Sequence, residues 1–338
     1  MTAADVSTVK VVDAEQLPGP RVQGRRVVAV VAAKLGSAVF VLWGAITLTF
    51  VVLSVLPGDR AAIVLNIQSG QTTTRSAAEI AAVDAQYGWD RPLVVQYFSY
   101  LANVLRGDFG TSWELRRPVT AIIGEQIGPT LTLTVSALLL AWLISIPWTL
   151  LTAGRSRRTK TVGSAVETIT AGLPQYWLGV ILLLVFAVNL RLFPVIGGVG
   201  FVGTVLPAFT LAIPLAGFIG QATRTEFDRA IRQPFVLSAR TRGMSDNGVR
   251  LRHVLRHALI PGITLSGWAM GALLSGAVLV ESVFARPGIG AVLVKSVSDK
   301  DFELVMGIVI LISAVYVTVN LLVDVIYTVI DPRLGGSR

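Results

Sequence analysis

The stretch "SARTRGMSDNGVRLRHVLRHALIP", residues 238–261, is polar and basic and holds both histidines of the chain, His253 and His257, inside a sequence that is otherwise mostly apolar. Its local signals are those of a helix pair. Pro234, just upstream, suits the first turn of a helix, where no amide donor is needed. Gly243 suits the left-handed turn that ends one. Ser245 or Asp246 is placed to cap the next helix. There Leu251, Val254, Leu255, Ala258 and Leu259 follow the spacing of one apolar face. Arg252 and Arg256 lie four apart on another face, as do His253 and His257. The pattern predicts a helix, a glycine turn and an amphipathic helix that passes near Pro261 into a greasy segment.

The rest of the 338 residues supplies the context: 53% are hydrophobic and only 14% charged. Soluble domains carry about 25% charged residues, so the composition points to a membrane. There is no cysteine, which excludes disulfides and thiolate metal sites. A span of the hydrocarbon core takes about 20 apolar residues. Six segments qualify, at 36–56, 130–153, 166–188, 206–220, 259–280 and 304–330. The fourth is short and is interrupted by Pro207 and Pro214. The chain therefore reads as an all-α membrane protein with six transmembrane helices.

Lys and Arg set the orientation. They gather at Arg21, Arg25, Arg26 and Lys34; at Arg155, Arg157, Arg158 and Lys160; at Arg224, Arg229, Arg232, Arg240, Arg242, Arg250, Arg252 and Arg256; and at Arg333 and Arg338. With six alternating spans all of these fall on one side, and the positive-inside rule makes that side the cytoplasm. Most of the net charge of +9 is thus a topology signal, and nucleic acid is not needed as a partner. Residues 1–30 read as a disordered cytoplasmic tail and 31–57 as the first transmembrane helix with its flanks. Residues 58–128 read as an extracytoplasmic helical segment, with helical patterns at 76–87 and 93–105. Residues 129–335 read as a core of five spans carrying the cytoplasmic segment 224–258. The outer segment is either a structural lid or a docking surface for an external protein.

Three readings of the basic stretch compete. His253 and His257 have the spacing of a metal pair, but a zinc site needs three or four ligands, and Arg252 and Arg256 beside them repel a cation. A basic amphipathic helix lying on lipid explains the charges but not the glycine turn. A docking element for a cytoplasmic protein explains both, because a compact helix pair offers a knob for a groove.

At this point the stretch resembles the EAA loop of permease subunits of ATP-binding-cassette importers. Leu237-Ser238-Ala239 stands at the Glu-Ala-Ala triplet, Gly243 at the glycine, and His253-Val254-Leu255-Arg256 where the general pattern has Ile-x-Leu-Pro. Leu237 replaces the glutamate and Arg256 the proline, a variant similar to the permeases for dipeptides, oligopeptides and nickel. "LPGDRA" (56–61), "DRPLVVQYFSYLANVLRGDFGTS" (90–112), "RPV" (117–119), "PTLTLT" (129–134), "LPQYWLGVILLLVFAV" (173–188), "VESVFARPGIG" (280–290) and "VNLLVDVIYTVIDPR" (319–333) resemble the same branch in colinear order.

The resemblance implies a type I ABC importer permease fold, bound to a second homologous permease and two cytoplasmic ATP-binding subunits. An extracytoplasmic substrate-binding protein delivers the solute, peptides or related small solutes, at a bacterial inner membrane, with both termini cytoplasmic. Ser238, Ala239, Arg240, Arg242, Gly243, Arg252, His253, Leu255 and Arg256 are then the residues of the ATPase coupling loop. The chain has no phosphate-binding G-x-x-x-x-G-K-[ST] loop and no nucleophile–base set, so it reads as non-catalytic and cofactor-free, with ATP and Mg on the partners. Polar and small residues near the spans are pathway candidates: Gln175, Gln221, Ser266 and Trp268, with Glu167, Asn189, Thr223, Ser275 and Asp324 beside them. Intramembrane ionisable groups are functional hypotheses by default, and Glu281 beside the "ARPGIG" turn is a candidate for the outer gate. The alternative is an ion-coupled secondary transporter or channel without an ATPase.

Overall fold

The computed structural model describes the backbone at 20–55, 58–71, 73–196, 198 and 200–330, with side chains between 32 and 322. The described residues form helices α1 Pro20–Val55, α2 Arg60–Ser69, α3 Ala77–Tyr87, α4 Leu93–Leu105, α5 Val119–Thr152, α6 Arg157–Ala171 and α7 Gln175–Leu182, with a π-helical continuation Leu183–Asn189. Then come α8 Gly200–Ala230, α9 Pro234–Thr241 and α10 Asp246–Val249. A π-helical turn, Arg250–Val254, leads into α11 Leu255–Val283, followed by α12 Ile289–Ser298 and α13 Phe302–Ile330. The helical backbone already begins at Pro20, inside the stretch expected to be a disordered tail. The remainder of that tail, the side chain of Asp324, and Arg333 and Arg338 lie outside the described residues.

Among the described residues five helices are long and apolar enough to cross a membrane, and a bent pair makes a sixth if it is one span. The third expected span, 166–188, is not straight: α6 and the helix starting at Gln175 meet at 96°. The cause is local. Gly172 and Leu173 close the end of α6 through tight turns to Thr168, Ile169 and Thr170 carbonyls. Pro174 then lacks the amide that would continue the helix and pushes its predecessor out of the helical region.

The fourth expected span, 206–220, differs in the opposite sense. It is the middle of α8, an unbroken 31-residue helix that contains both Pro207 and Pro214. It is also the most enclosed of the spans. Proline inside a span is tolerated where neighbouring helices surround it. Small residues allow that enclosure. Gly217 lies directly against Thr170 and the backbone of Ala171, and Gly220 lies against Glu167. Around α8 pack α5, α6 and α11, with a core of Leu133, Leu211, Ile219 and Leu273 among others. The second span likewise exceeds its expected start at 130, because α5 runs from Val119 through Pro129.

At the end of the bundle opposite the basic segment, α2, α3 and α4 form a small cap. Ser76 and Glu79 make a reciprocal capping box on α3. Ile46, Leu53, Ala61, Val64, Val83, Trp113 and Phe302 join this cap to α1 and α13 in a second core. Helices α2 and α12 are additional to the helical patterns legible in the sequence.

Candidate functional site

The basic segment is built as its residues predict. Helix α9 opens with Pro234 at its first turn and ends at Thr241. Gly243 has φ of +82°, where a residue with a Cβ is strained. Its amide donates to the Arg240 carbonyl (2.9 Å), and the Met244 amide reaches back to the Ala239 carbonyl (3.2 Å). This is the double-bonded glycine stop of helix C-termini, and Met244 completes it by packing on the same apolar cluster that holds Ala239. The Ser245 hydroxyl then accepts the Gly248 amide and caps α10.

The inner face of the segment is fastened to the spans. Val236, Ala239, Val249, Val254 and Ala258 pack with Ala153, Phe227 and Ala230 at the ends of α5 and α8. Arg250 is 2% exposed. One of its guanidinium nitrogens donates to the carbonyls of Leu150 and Ala153, both at 2.6 Å. The group also lies 4.8 Å from the centroid of the Phe227 ring. The last carbonyls of a helix lack intrahelical partners and carry its negative pole. Arg250 thus supplies the missing donors of α5 with a positive charge. In sequence it counts as one of many arginines, and the apolar face that begins at Leu251 leaves it out.

The π-helical turn from Arg250 to Val254 adds a residue to the helical repeat. It brings Val249 and Arg250 inward and leaves Leu251, expected on the apolar face, 53% exposed. Val254 and Ala258 stay buried, as that face requires.

The outer face is basic. Ser238, Arg240, Arg242, Gly243, Arg252 and Arg256 are exposed, and His253 and Leu255 are half-buried. Leu237, at the position of the pattern's glutamate, is 67% exposed. Ala239 is fully buried and belongs to the packing rather than to the accessible face. The His257 ring lies tilted against Phe235, with ring centroids 5.2 Å apart. Asp246 accepts from Arg240 at 2.7 Å and lies 3.8 Å from Arg155. Lys160 pairs with Asp228 at 2.7 Å, and the Gly154 amide donates to the same carboxylate. These contacts draw the 154–160 connection and the basic segment into one surface.

Deeper in the bundle Arg224 of α8 donates to both carboxylate oxygens of Glu167 in α6, at 2.6 and 2.7 Å. It also bonds to the hydroxyl of Thr152 at the end of α5. Glu167, a pathway candidate by sequence, is therefore the anion of a buried pair. Thr223 beside it is buried against Gly262.

The remaining pathway candidates fall in different places. Gln175 opens α7 and lies against Gly276 of α11. Gln221 is half-buried in α8. Ser266 accepts from the Trp142 indole and donates to the Gly262 carbonyl, both at 2.9 Å. Trp268 is 55% exposed and packs near Phe218, with ring centroids 5.2 Å apart. With Gly271, Ser275, Val41, Ser313 and Tyr316 it lines a groove of about 300 Å³. Asn189 ends the π-helical stretch and is exposed.

Glu281 is fully buried. One carboxylate oxygen accepts the Thr130 hydroxyl at 2.6 Å; the other accepts the amides of Gly290 (2.7 Å) and Ala291 (3.3 Å) at the start of α12. Gly288 leaves room for the carboxylate, which a Cβ there would strike. A carboxylate suits the positive end of a helix. Arg286 follows in the same turn, donating to the Pro129 carbonyl and the Thr204 hydroxyl, each at 3.1 Å. Glu281 and Arg286 thus tie the "ARPGIG" turn to α5 and α8.

Comparison with known proteins places these features in a family. Residues 145–336 match the model of the "Binding-protein-dependent transport system inner membrane component" family. The chain is 35% identical over 288 residues to the glutathione transport system permease protein GsiC of Salmonella choleraesuis (strain SC-B67), covering 85% of this chain and 92% of that one. It is 33% identical, with the same coverage, to GsiC of Escherichia coli (strain K12). A crystal structure of an amino acid ABC transporter with histidines aligns with a TM-score of 0.46 at 19% identity, over 63% of this chain and 94% of that one. With its apolar helices and the family match over its C-terminal half, the chain belongs to the inner-membrane components of binding-protein-dependent transport systems.

Proposed function

We propose that this chain is the permease subunit of an ATP-driven importer that moves peptides or related small solutes into the cytoplasm. Its segment 224–258 is the part that partner ATPases push. The observation that carries the reading is the two-sidedness of that segment: a basic, exposed outer face, and an inner face bonded through Arg250 to the end of α5. Force applied to such a knob reaches the spans without unravelling it, as a lever requires. Ser238, Arg240, Arg242, Arg252, His253, Leu255 and Arg256 form the docking face; Gly243 sets the turn, and Ala239 holds it to the bundle. Exposed ion pairs contribute only about 0–1 kcal/mol each, so shape supplies much of the docking.

The complex then comprises a second homologous permease, two ATP-binding subunits that bind ATP and Mg and perform the hydrolysis, and an extracytoplasmic substrate-binding protein. The cap at 58–118 faces that binding protein, and both termini are cytoplasmic. Peptide as the solute class draws support from relatives named for the transport of glutathione, itself a peptide. Gln175, Gln221, Ser266 and Trp268 border the solute path, and Glu281 fixes the turn at its outer gate.

Co-purification of the ATPases with the tagged chain, followed by peptide uptake into proteoliposomes containing the complex, tests this reading. Uptake is expected only with ATP. Uptake driven by an ion gradient, without ATP or ATPases, would establish a secondary transporter instead.

A further inference from the structure

Away from the basic segment, the cap encloses a cavity of about 480 Å³, within the range of small-molecule sites. Trp89, Trp113 and Tyr100 form aromatic walls, and charges of both signs line it: the exposed Arg91, Arg116 and Asp108, and the half-buried Arg60 of α2 and Glu303 in the first turn of α13. Arg60 is positioned by the Phe302 ring, 4.4 Å from its centroid, and by a bond to the Ser54 hydroxyl at 3.3 Å. Burial lowers the pKa of Arg60, and the charge of Glu303 acts in the opposite direction. Room for the Glu303 carboxylate comes from Gly110, at φ of +79°, where a Cβ would come within 2.9 Å of it. The Tyr100 hydroxyl is buried without a hydrogen-bond partner, although buried hydroxyls normally have one.

The walls are firmly built. The Ser112 hydroxyl and the Glu114 amide both donate to Asp301, which caps α13 through the Leu304 amide. The Trp89 and Trp113 rings meet edge to face, 5.0 Å apart.

A simple anion entering this cavity meets Asp108 and Glu303, and a simple cation meets Arg60, Arg91 and Arg116; a molecule carrying both charges satisfies both, and the half-buried pair Arg60 and Glu303 is the one withdrawn from water. We infer that the cavity is a binding site for a small zwitterion with an apolar side chain, an amino acid or short peptide. Its carboxylate meets Arg60, its ammonium meets Glu303, and its side chain lies on the tryptophans. Charged partners withdrawn from water give the stronger hydrogen bonds. The inference goes beyond the importer reading and holds whether or not an ATPase drives the chain.

Calorimetric titration of the full chain in lipid nanodiscs tests it, with the dipeptide Ala-Phe, its N-acetylated form and its C-terminal amide as probes. Saturable binding of Ala-Phe is expected, weakened tenfold or more by either block. In Glu303→Gln the acetylated and free peptides should bind alike; in Arg60→Gln the amide and the free peptide should. No saturable binding of Ala-Phe overturns the assignment, as do blocked peptides that bind unaltered protein as tightly as the free one. Unchanged preferences in both variants overturn it too, because they place the peptide elsewhere. The blocked peptides are read on unaltered protein, so a variant that misfolds does not spoil the test, and uptake plays no part in it.

Discussion

Arg224 grips both carboxylate oxygens of Glu167 from the neighbouring helix, and each side chain is almost entirely withdrawn from solvent. The pair joins α8 to the helix just before the 96° break, so it sets where α7 begins its own course.

Removing one partner of a buried pair leaves an uncompensated charge, a loss of about 3–5 kcal/mol. The Arg224 Nη1 already lacks a partner, so there is no spare acceptor to take over. Glu167→Gln should lower the unfolding midpoint of the purified protein sharply. The double change Glu167→Met with Arg224→Met should recover most of it, since apolar replacement of both partners is often neutral. Thermal unfolding of the three variants in detergent decides this; a double variant no better than the single one refutes it.

Arg250 bonds to two carbonyls while stacked on Phe227. Lysine brings a point charge but not the planar fork or the stacking. Arg250→Lys should therefore leave the exposed docking face intact, so that ATPases still co-purify, while peptide transported per ATP hydrolysed falls several-fold. Measuring both quantities in proteoliposomes checks it; unchanged stoichiometry would remove Arg250 from force transfer.

Gly243 has open space around its missing Cβ, so its requirement is conformational. A left-handed residue with a Cβ costs about 1–2 kcal/mol. Gly243→Ala should speed hydrogen exchange in 239–246 with modest loss of transport. Gly243→Pro, which also removes the amide to Arg240 and cannot reach this φ, should abolish ATPase co-purification. Equal behaviour of the two variants would show that the turn is not what matters.

Glu281 accepts three hydrogen bonds. Gln keeps an acceptor for the α12 amides, its NH2 turns the Thr130 hydroxyl from donor to acceptor, and the charge at the helix start is lost, about 0.3–1 kcal/mol and at most ~2. Ala leaves several buried donors unpaired, about 1–3 kcal/mol for each. Glu281→Gln should transport near normally and Glu281→Ala should lose stability and transport together. Transport matching the original protein in both variants would dismiss this turn as part of the gate.

Much of this fold is legible in the sequence because its signals are local. Hydropathy marks α1, α5, α11 and α13, and Pro234, Gly243 and Ser245 mark the boundaries of the basic segment. Where the expectation departs, tertiary surroundings decide. The same residue type breaks one helix at Pro174 and passes through another at Pro207 and Pro214, because α8 is enclosed by small-residue contacts while α6 has already closed its end. The extra residue at Arg250–Val254 cannot be read from a regular helical repeat, and it moved Leu251 outward. Nor do single residues reveal a pair as distant along the chain as Glu167 and Arg224.

The grip of Arg250 on Leu150 and Ala153 uses backbone oxygens alone. Whatever side chains stand at 150 and 153, those oxygens remain. Among relatives of this chain, an arginine in that role would have no position obliged to change in step with it, and searches for covarying pairs would pass over the joint that fastens the segment to its span.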